Sequence, residues 1–361
     1  MKNPYNPSFG RRPERFLGRE HIIEEVLYAL DEPNSPWRST LLIGIRGSGK
    51  TALLSDIGKL AKHKNVVVAS VTPEGNLLDE ILVQIYRSIP SKFMDRIPKP
   101  VKITIGGITE FDLSPPDTPS YLTNFRYQIS TLLDELKSHN LRTLILLDET
   151  QKHSEQMRTF ISTFQHLVRE EYQVNLVMAG LPHVISDILN DDVLTFFRRS
   201  NQVVLQGVEL EFIRLDYYDT FHRTFQCSKE ITDRAAELTK GYPYLIQLIG
   251  FYLWRFISDG KSHEEALDRA LSQSKAMLYQ NVHSLLYHDL SKNDKDFVNA
   301  MIEDEYSSKI SDIQHRLSKT ANHVSTYRNR LISNGYIRAV AHGEVDFMIP
   351  YTKDYIKQII H

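Results

Sequence analysis

The chain has 361 residues, of which 41% are hydrophobic and 24% charged, and 43 Lys and Arg stand against 45 Asp and Glu for a net charge of -2. These values exclude disordered, collagen-like and low-complexity classes, and a net charge this small means that any nucleic-acid surface must be local. With Cys227 as the single cysteine no intramolecular disulfide can form, and the basic start MKNPYNPSFGRRPERF lacks a following apolar run, which predicts a cytoplasmic protein without a secretory leader.

Taken in order, the proline-rich lead-in holds one predicted helix, because Ile22, Ile23, Val26, Leu27 and Leu30 recur at helical spacing. The run TLLIGI from Thr40 is short, wholly apolar and stopped by glycine, as in a strand buried on both faces. The following TALLSDIGKLAK puts Leu53, Leu54, Ile57, Leu60 and Ala61 on one helical stripe. Further buried strands are predicted at 66–71, 143–147, 174–179 and 203–205, with helices at 77–89, 120–137 and 154–169 between them. Such alternation predicts an α/β fold, a parallel sheet covered by helices on both faces. Residues 90–116 interrupt the rhythm with KITIGGITEFDL between prolines, read as an inserted hairpin or long loop.

Beyond Val208 the pattern turns helical, with helices expected at 231–238, 244–257 and 264–285, the last begun by the capping spacing Ser262-x-x-Glu265. The longest apolar stretch, Tyr242 to Ile257, contains Gln247, Gly250 and Arg255 and is too short and interrupted to span a bilayer, so no membrane partner is expected. Short helices at 294–302, 311–317 and 322–333 precede two strand-like runs joined around Gly343, a helix-turn-helix with a wing. The predicted division is a nucleotide-binding base over 1–207, a helical lid over 208–288 and a winged helix over 289–361.

Gly44-Ile45-Arg46-Gly47-Ser48-Gly49-Lys50-Thr51 fits the P-loop spacing between a strand and a helix. Glycines let successive N–H groups turn inward on phosphate oxygens, and the helix that continues through Ala52 adds its positive dipole end. Lys50 is expected on the β- and γ-phosphates of ATP and the Thr51 hydroxyl on Mg²⁺. The apolar strand LILLDE ends in Asp148, expected to hold Mg²⁺, and Glu149, expected to polarise an attacking water.

Together with the PERFLGRE lead-in, the Gly241-Tyr242-Pro243 motif and the winged-helix pattern, these motifs make the chain resemble an AAA+ ATPase of the branch holding archaeal origin-recognition initiators and signal-transduction ATPases with many domains. The resemblance runs nearly end to end. It implies that Phe16 and Leu17 help enclose adenine, that Pro243 packs near it, and that nucleotide as ATP or ADP lies in the cleft between base and lid. It also implies an arginine finger at Arg198 or Arg199, reaching the γ-phosphate of a neighbouring subunit in a homo-oligomer. Where the family carries a polar sensor, the sequence reads Met178-Ala179-Gly180-Leu181, and the lid motif lacks an arginine; slow hydrolysis, with ATP acting as a clamp, is expected.

Between Ile313 and Gly343 the basic residues Arg316, Lys319, Arg328, Arg330 and Arg338 meet no acidic one. With Val324, Tyr327 and Leu331 facing inward, Asn322, His323, Ser325, Thr326, Arg328 and Arg330 are expected on a recognition helix reading double-stranded DNA. Two alternatives stand beside this initiator-like or regulatory ATPase. One is a signalling ATPase whose winged helix contacts a protein partner, and the other a transposition-type ATPase. The histidines show no metal-ligand spacing, and Glu303, Asp304 and Glu305 read as a solvated helix end.

Overall fold

A computed structural model of the chain describes residues 2–8, 17–73, 75–94, 96–97, 102–105, 108–112, 124–149, 154–192 and 194–360. The chain divides into two compact units, one formed by residues 19–44 and 50–205, the other by 1–18, 45–49 and 206–361.

The first unit opens with α1 (Glu20–Ala29), β1 (Ser39–Ile43), α2 (Lys50–Lys62) and β2 (Val66–Val71). It continues with α3 (Leu77–Arg87), α4 (Ser91–Met94), β3 (Lys102–Ile105), β4 (Ile108–Asp112) and α5 (Phe125–Ser138). β5 (Arg142–Leu147), α6 (Glu155–Arg169), β6 (Val174–Gly180), α7 (Pro182–Leu189) and β7 (Asn201–Val204) complete it. The strands predicted from apolar runs form one parallel sheet in the order β2-β5-β6-β1-β7. Alternate residues of β5 serve opposite faces. Ile145 and Leu147 join the core with Ile81 of α3, Ile129 of α5 and Phe160 of α6, whereas α2 lies so close to the other face that a Cβ on Gly58 would stand 2.9 Å from Leu146 Cδ1. The sheet is therefore covered by helices on both sides, and its strands carry Val, Ile and Leu on both faces for that reason. In the 90–116 insertion, β3 and β4 pair antiparallel as the expected hairpin; its other residues, apart from 90–94, 96 and 97, lie outside the described set.

The second unit contains α8 (Leu210–Phe225), α9 (Lys229–Leu238), α10 (Pro243–Ser258) and α11 (His263–Leu278), and Ser262 caps α11 by accepting the Glu265 N–H at 3.3 Å. Sequence periodicity predicted the last three and missed α8. Its buried positions Ile213, Asp216, Tyr217, Thr220 and Phe221 have helical spacing, but Asp216 and Thr220 are polar and broke the apolar stripe. Tyr5 helps to satisfy this buried carboxylate: its hydroxyl donates to Asp216 Oδ2 at 2.9 Å while its ring stacks on Phe221. Burial first, and the Asp216 charge second, push the Tyr5 phenol well above its ordinary range, which keeps it a donor.

The single helix expected over 264–285 is broken. A π-helical turn at Tyr279–His283 separates α11 from α12 (Ser284–His288), and the buried His283 ring bonds the Pro350 carbonyl from that turn at 3.0 Å. The remaining elements are α13 (Lys292–Met301), β8 (Ser308–Lys309), α14 (Ile310–Leu317), α15 (Ala321–Ser333), β9 (Ile337–Ala341), β10 (Glu344–Phe347) and α16 (Thr352–Ile360). The expected helices and the hairpin around Gly343 are present, and β8 adds a third antiparallel strand in the order β8-β10-β9. Phe297, Ile313, Val324, Leu331, Val345 and Ile356 form the core of this region.

Candidate functional site

In the sheet unit, Gly44 follows the carboxyl end of β1 and Asp148 that of β5, with β6 between them. At about 4.8 Å per strand, the two loops emerge roughly 10 Å apart on the edge where open parallel sheets take ligands. The Gly44 N–H donates to the Gly180 carbonyl at 3.2 Å, tying the start of the loop to the end of β6, and the Asp148 N–H donates to the Val71 carbonyl at 2.9 Å. Lys50 begins α2, and its Nζ donates to the Gly44 carbonyl at 2.8 Å, closing the loop upon itself. Thr51 lies half-buried in the same first turn, followed by Ala52. Glu149 is exposed and held at φ +48°, its N–H donating to Asp148 Oδ1 at 2.9 Å. A left-handed conformation is uncommon for a residue that follows a strand, and it is what turns the Glu149 side chain off the line of β5.

Residues 45–49 belong to the other unit. Gly47 and Gly49 have φ of +73° and +89°, conformations that glycine adopts without steric cost. Ser48 is 4% exposed, and its Oγ is buried without a hydrogen-bond partner. Arg46 is exposed, Ile45 packs against Tyr242, and a Cβ on Gly49 would lie 4.0 Å from Pro243 Cβ. Leu17 packs with the core around Tyr217 and Ile246; Phe16 lies outside the described residues. The fit to a phosphate ligand is good on the chain's own terms. Within residues 45–49 an orphaned hydroxyl stands between two left-handed glycines, and each would be satisfied or used by an anion.

Where the sequence lacked a polar sensor, Met178 and Ala179 are fully buried in β6. Arg198 and Arg199 are both exposed on a 3₁₀ turn, with Arg198 Nε donating to the Leu189 carbonyl at 2.6 Å and so closing the carboxyl end of α7.

On α15, Asn322, Ser325 and Thr326 are exposed, and His323 and Arg328 are half-buried. Arg330 is exposed, yet its guanidinium bonds Asp294 Oδ1 at 3.0 Å and Ser291 Oγ at 2.8 Å. Arg316 forms a bidentate pair with Asp304 at 2.7 and 2.6 Å and reaches Glu303 at 3.1 Å. Arg338 lies 3.6 Å from Asp346. The local excess of positive charge read from the sequence is thus largely balanced by acids contributed from outside the 313–343 segment. Glu303 and Asp304 serve that balance and are not a free solvated end, and Arg316 holds the Asp304 carboxyl below its usual range.

Residues 15–178 match a family model described as the AAA ATPase domain, and residues 280–356 match a domain of unknown function, DUF8462. No curated protein sequence matches the chain significantly. Among solved structures, the chain is similar to a Walker-type ATPase of Pyrococcus abyssi, with a TM-score of 0.67 at 16% identity over 96% of this chain and 97% of that one. It is also similar to the ADP form of the Aeropyrum pernix ORC2 protein (TM-score 0.54, 13% identity, 98% and 96% covered) and to Cdc6p of Pyrobaculum aerophilum (0.52, 16%, 98% and 97%). Residues 15–178 thus match the AAA ATPase domain model, and the chain shares its fold along its length with the Cdc6p and ORC2 structures.

Proposed function

We propose that the chain binds Mg·ATP at the loop 44–51 and hydrolyses it, and that its C-terminal region is a winged helix whose contact with duplex DNA is controlled by the nucleotide. The reading divides the chain into a base over 1–207, a lid over 208–288 and the winged helix over 289–361. Support for the nucleotide site comes above all from the emergence of Lys50, Thr51, Asp148 and Glu149 on one edge of a parallel sheet. Gly47, Ser48 and Gly49 would hold phosphate oxygens, Lys50 would neutralise their charge, and Thr51 with Asp148 would hold the metal. The metal supplies charge neutralisation on the phosphates when bound.

In this reading Glu149 orients and deprotonates the attacking water, which needs only that it be ionised and mobile enough to reach, as an exposed side chain is. Arg198 and Arg199, being exposed, are available to a neighbouring subunit in a homo-oligomer. The test is calorimetry with Mg·ATP, followed by steady-state hydrolysis. Heat of binding in the wild type and none in Lys50→Ala is the expected result, and equal binding by the two proteins would overturn the reading.

A second reading, in which the C-terminal region takes a protein partner, is favoured by the ion pairs of Arg316, Arg330 and Arg338. Among the described residues these leave Lys319 and Arg328 as the lysine and arginine of that segment without an ion pair to an acid. Duplex binding with a measurable salt slope, lost in Arg328→Ala, favours DNA; no duplex binding at 50 mM salt favours the partner.

A further inference from the structure

Tyr242, the middle residue of the Gly-x-Pro segment, is buried, and its hydroxyl donates to the Arg46 carbonyl at 2.6 Å. Burial pushes the phenol up, so the hydroxyl keeps its proton and remains a donor. The ring passes over Gly47 so closely that a Cβ there would stand 2.2 Å from the Tyr242 oxygen and 2.7 Å from Cζ. Only glycine fits beneath it. In a trans peptide the carbonyl of one residue and the N–H of the next point in opposite directions, and no described peptide bond is cis. Drawing the Arg46 carbonyl towards Tyr242 therefore directs the Gly47 N–H away from Tyr242.

We infer that Tyr242 is a positioning residue for the phosphate ligand. Its hydroxyl fixes the plane of the 46–47 peptide so that the Gly47 N–H is already turned outward from Tyr242 when a phosphate arrives. The inference rests on the reading of 44–51 as a phosphate loop. Orientation before binding matters because a glycine-rich loop left to itself must lose conformational freedom on association. The ring is in turn held by the core of Leu248, Leu278, Val282 and Ile349, against which Ile45 also packs. A loop whose glycines would otherwise leave it free is thereby fixed to α10 and to the segment before α16.

The experiment compares wild type, Tyr242→Phe and Lys50→Ala for affinity towards ATP and towards inorganic tripolyphosphate, which has no base. Thermal unfolding without ligand is measured alongside. Tyr242→Phe keeps the ring and removes one hydrogen bond, so a loss of about five- to tenfold is expected for both ligands, with an unchanged unfolding midpoint. Wild-type affinity in Tyr242→Phe overturns the inference. So does a loss confined to ATP, or one accompanied by a matching fall in midpoint. If wild type and Lys50→Ala bind alike, or neither ligand binds wild type, it is the phosphate-loop reading that fails.

Discussion

The ring of Tyr5 occupies the space that a side chain at Gly250 would need: a Cβ there would stand 2.5 Å from Tyr5 Cγ and Cδ1. Around that contact Asn3 Nδ2 donates to the Phe251 carbonyl at 3.1 Å and the Asn6 N–H to Gln247 Oε1 at 2.9 Å. The amino-terminal segment is therefore seated on α10 by complementary shape and by hydrogen bonds at either side of the ring. Gly250→Ala is expected to expel Tyr5 and to remove the hydrogen bond from the Tyr5 hydroxyl to Asp216, destabilising the unit by about 2 kcal/mol. Because both changes break one contact, Gly250→Ala combined with Tyr5→Ala should cost no more than Tyr5→Ala alone. Additive losses in chemical denaturation would refute the shared cause.

At the carboxyl edge of the sheet, Glu149→Gln keeps shape and hydrogen-bonding size while removing the charge. ATP affinity should stay within about twofold of wild type, and turnover should fall by roughly 10²-fold or more, the usual contribution of a positioned base. Steady-state phosphate release checks this, and equal rates would remove Glu149 from the reaction.

Arg330 and Arg328 sit two residues apart on α15 and should behave differently. Arg330 neutralises Asp294, whose side chain is 7% exposed and caps α13, so Arg330→Ala removes the cation beside a buried carboxylate at a cost of about 2–3 kcal/mol. Its effect belongs to stability. Arg328→Ala should leave the melting temperature unchanged and lower duplex affinity only. With the basic residues of the segment reduced by ion pairing to Lys319 and Arg328, the slope of log affinity against log salt should lie near about -2, and a slope near -5 would show that the pairs open on binding.

His283 is 1% exposed, with Nε2–H donating to the Pro350 carbonyl, and burial lowers its pKa to about 4. The unfolded chain binds this proton near pH 6.5 and the folded one only near pH 4, so the unfolded state holds more protons between these values. Stability is fully present above pH 6.5 and is lost progressively as pH falls towards about 4, by up to roughly 3 kcal/mol. Thermal unfolding across that range should show a decline that is absent in His283→Gln. Identical pH profiles for the two proteins would exclude His283 as its source.

Periodicity alone located the five sheet strands, because strands covered on both faces read as unbroken apolar runs, and it located the P-loop and LLDE because their chemistry is local in the chain. The helix α8 escaped because its buried face includes Asp216 and Thr220, and the Tyr5 hydroxyl that donates to Asp216 comes from more than two hundred positions earlier. The same kind of distance separates Tyr242 from Arg46, and no spacing rule relates them. Charge misled for a related reason: a window from 313 to 343 contains no acid, but Asp294, Asp304 and Asp346 lie outside it in sequence and fold onto its arginines.

What the order of residues determined by itself was the architecture and the chemistry of short motifs, since backbone periodicity and phosphate-binding glycines act over a few residues. Tertiary structure decided which charges remain available and which buried polar groups are satisfied. These depend on groups brought within about 3 Å of each other by packing, a distance at which desolvation and hydrogen bonding outweigh any local preference.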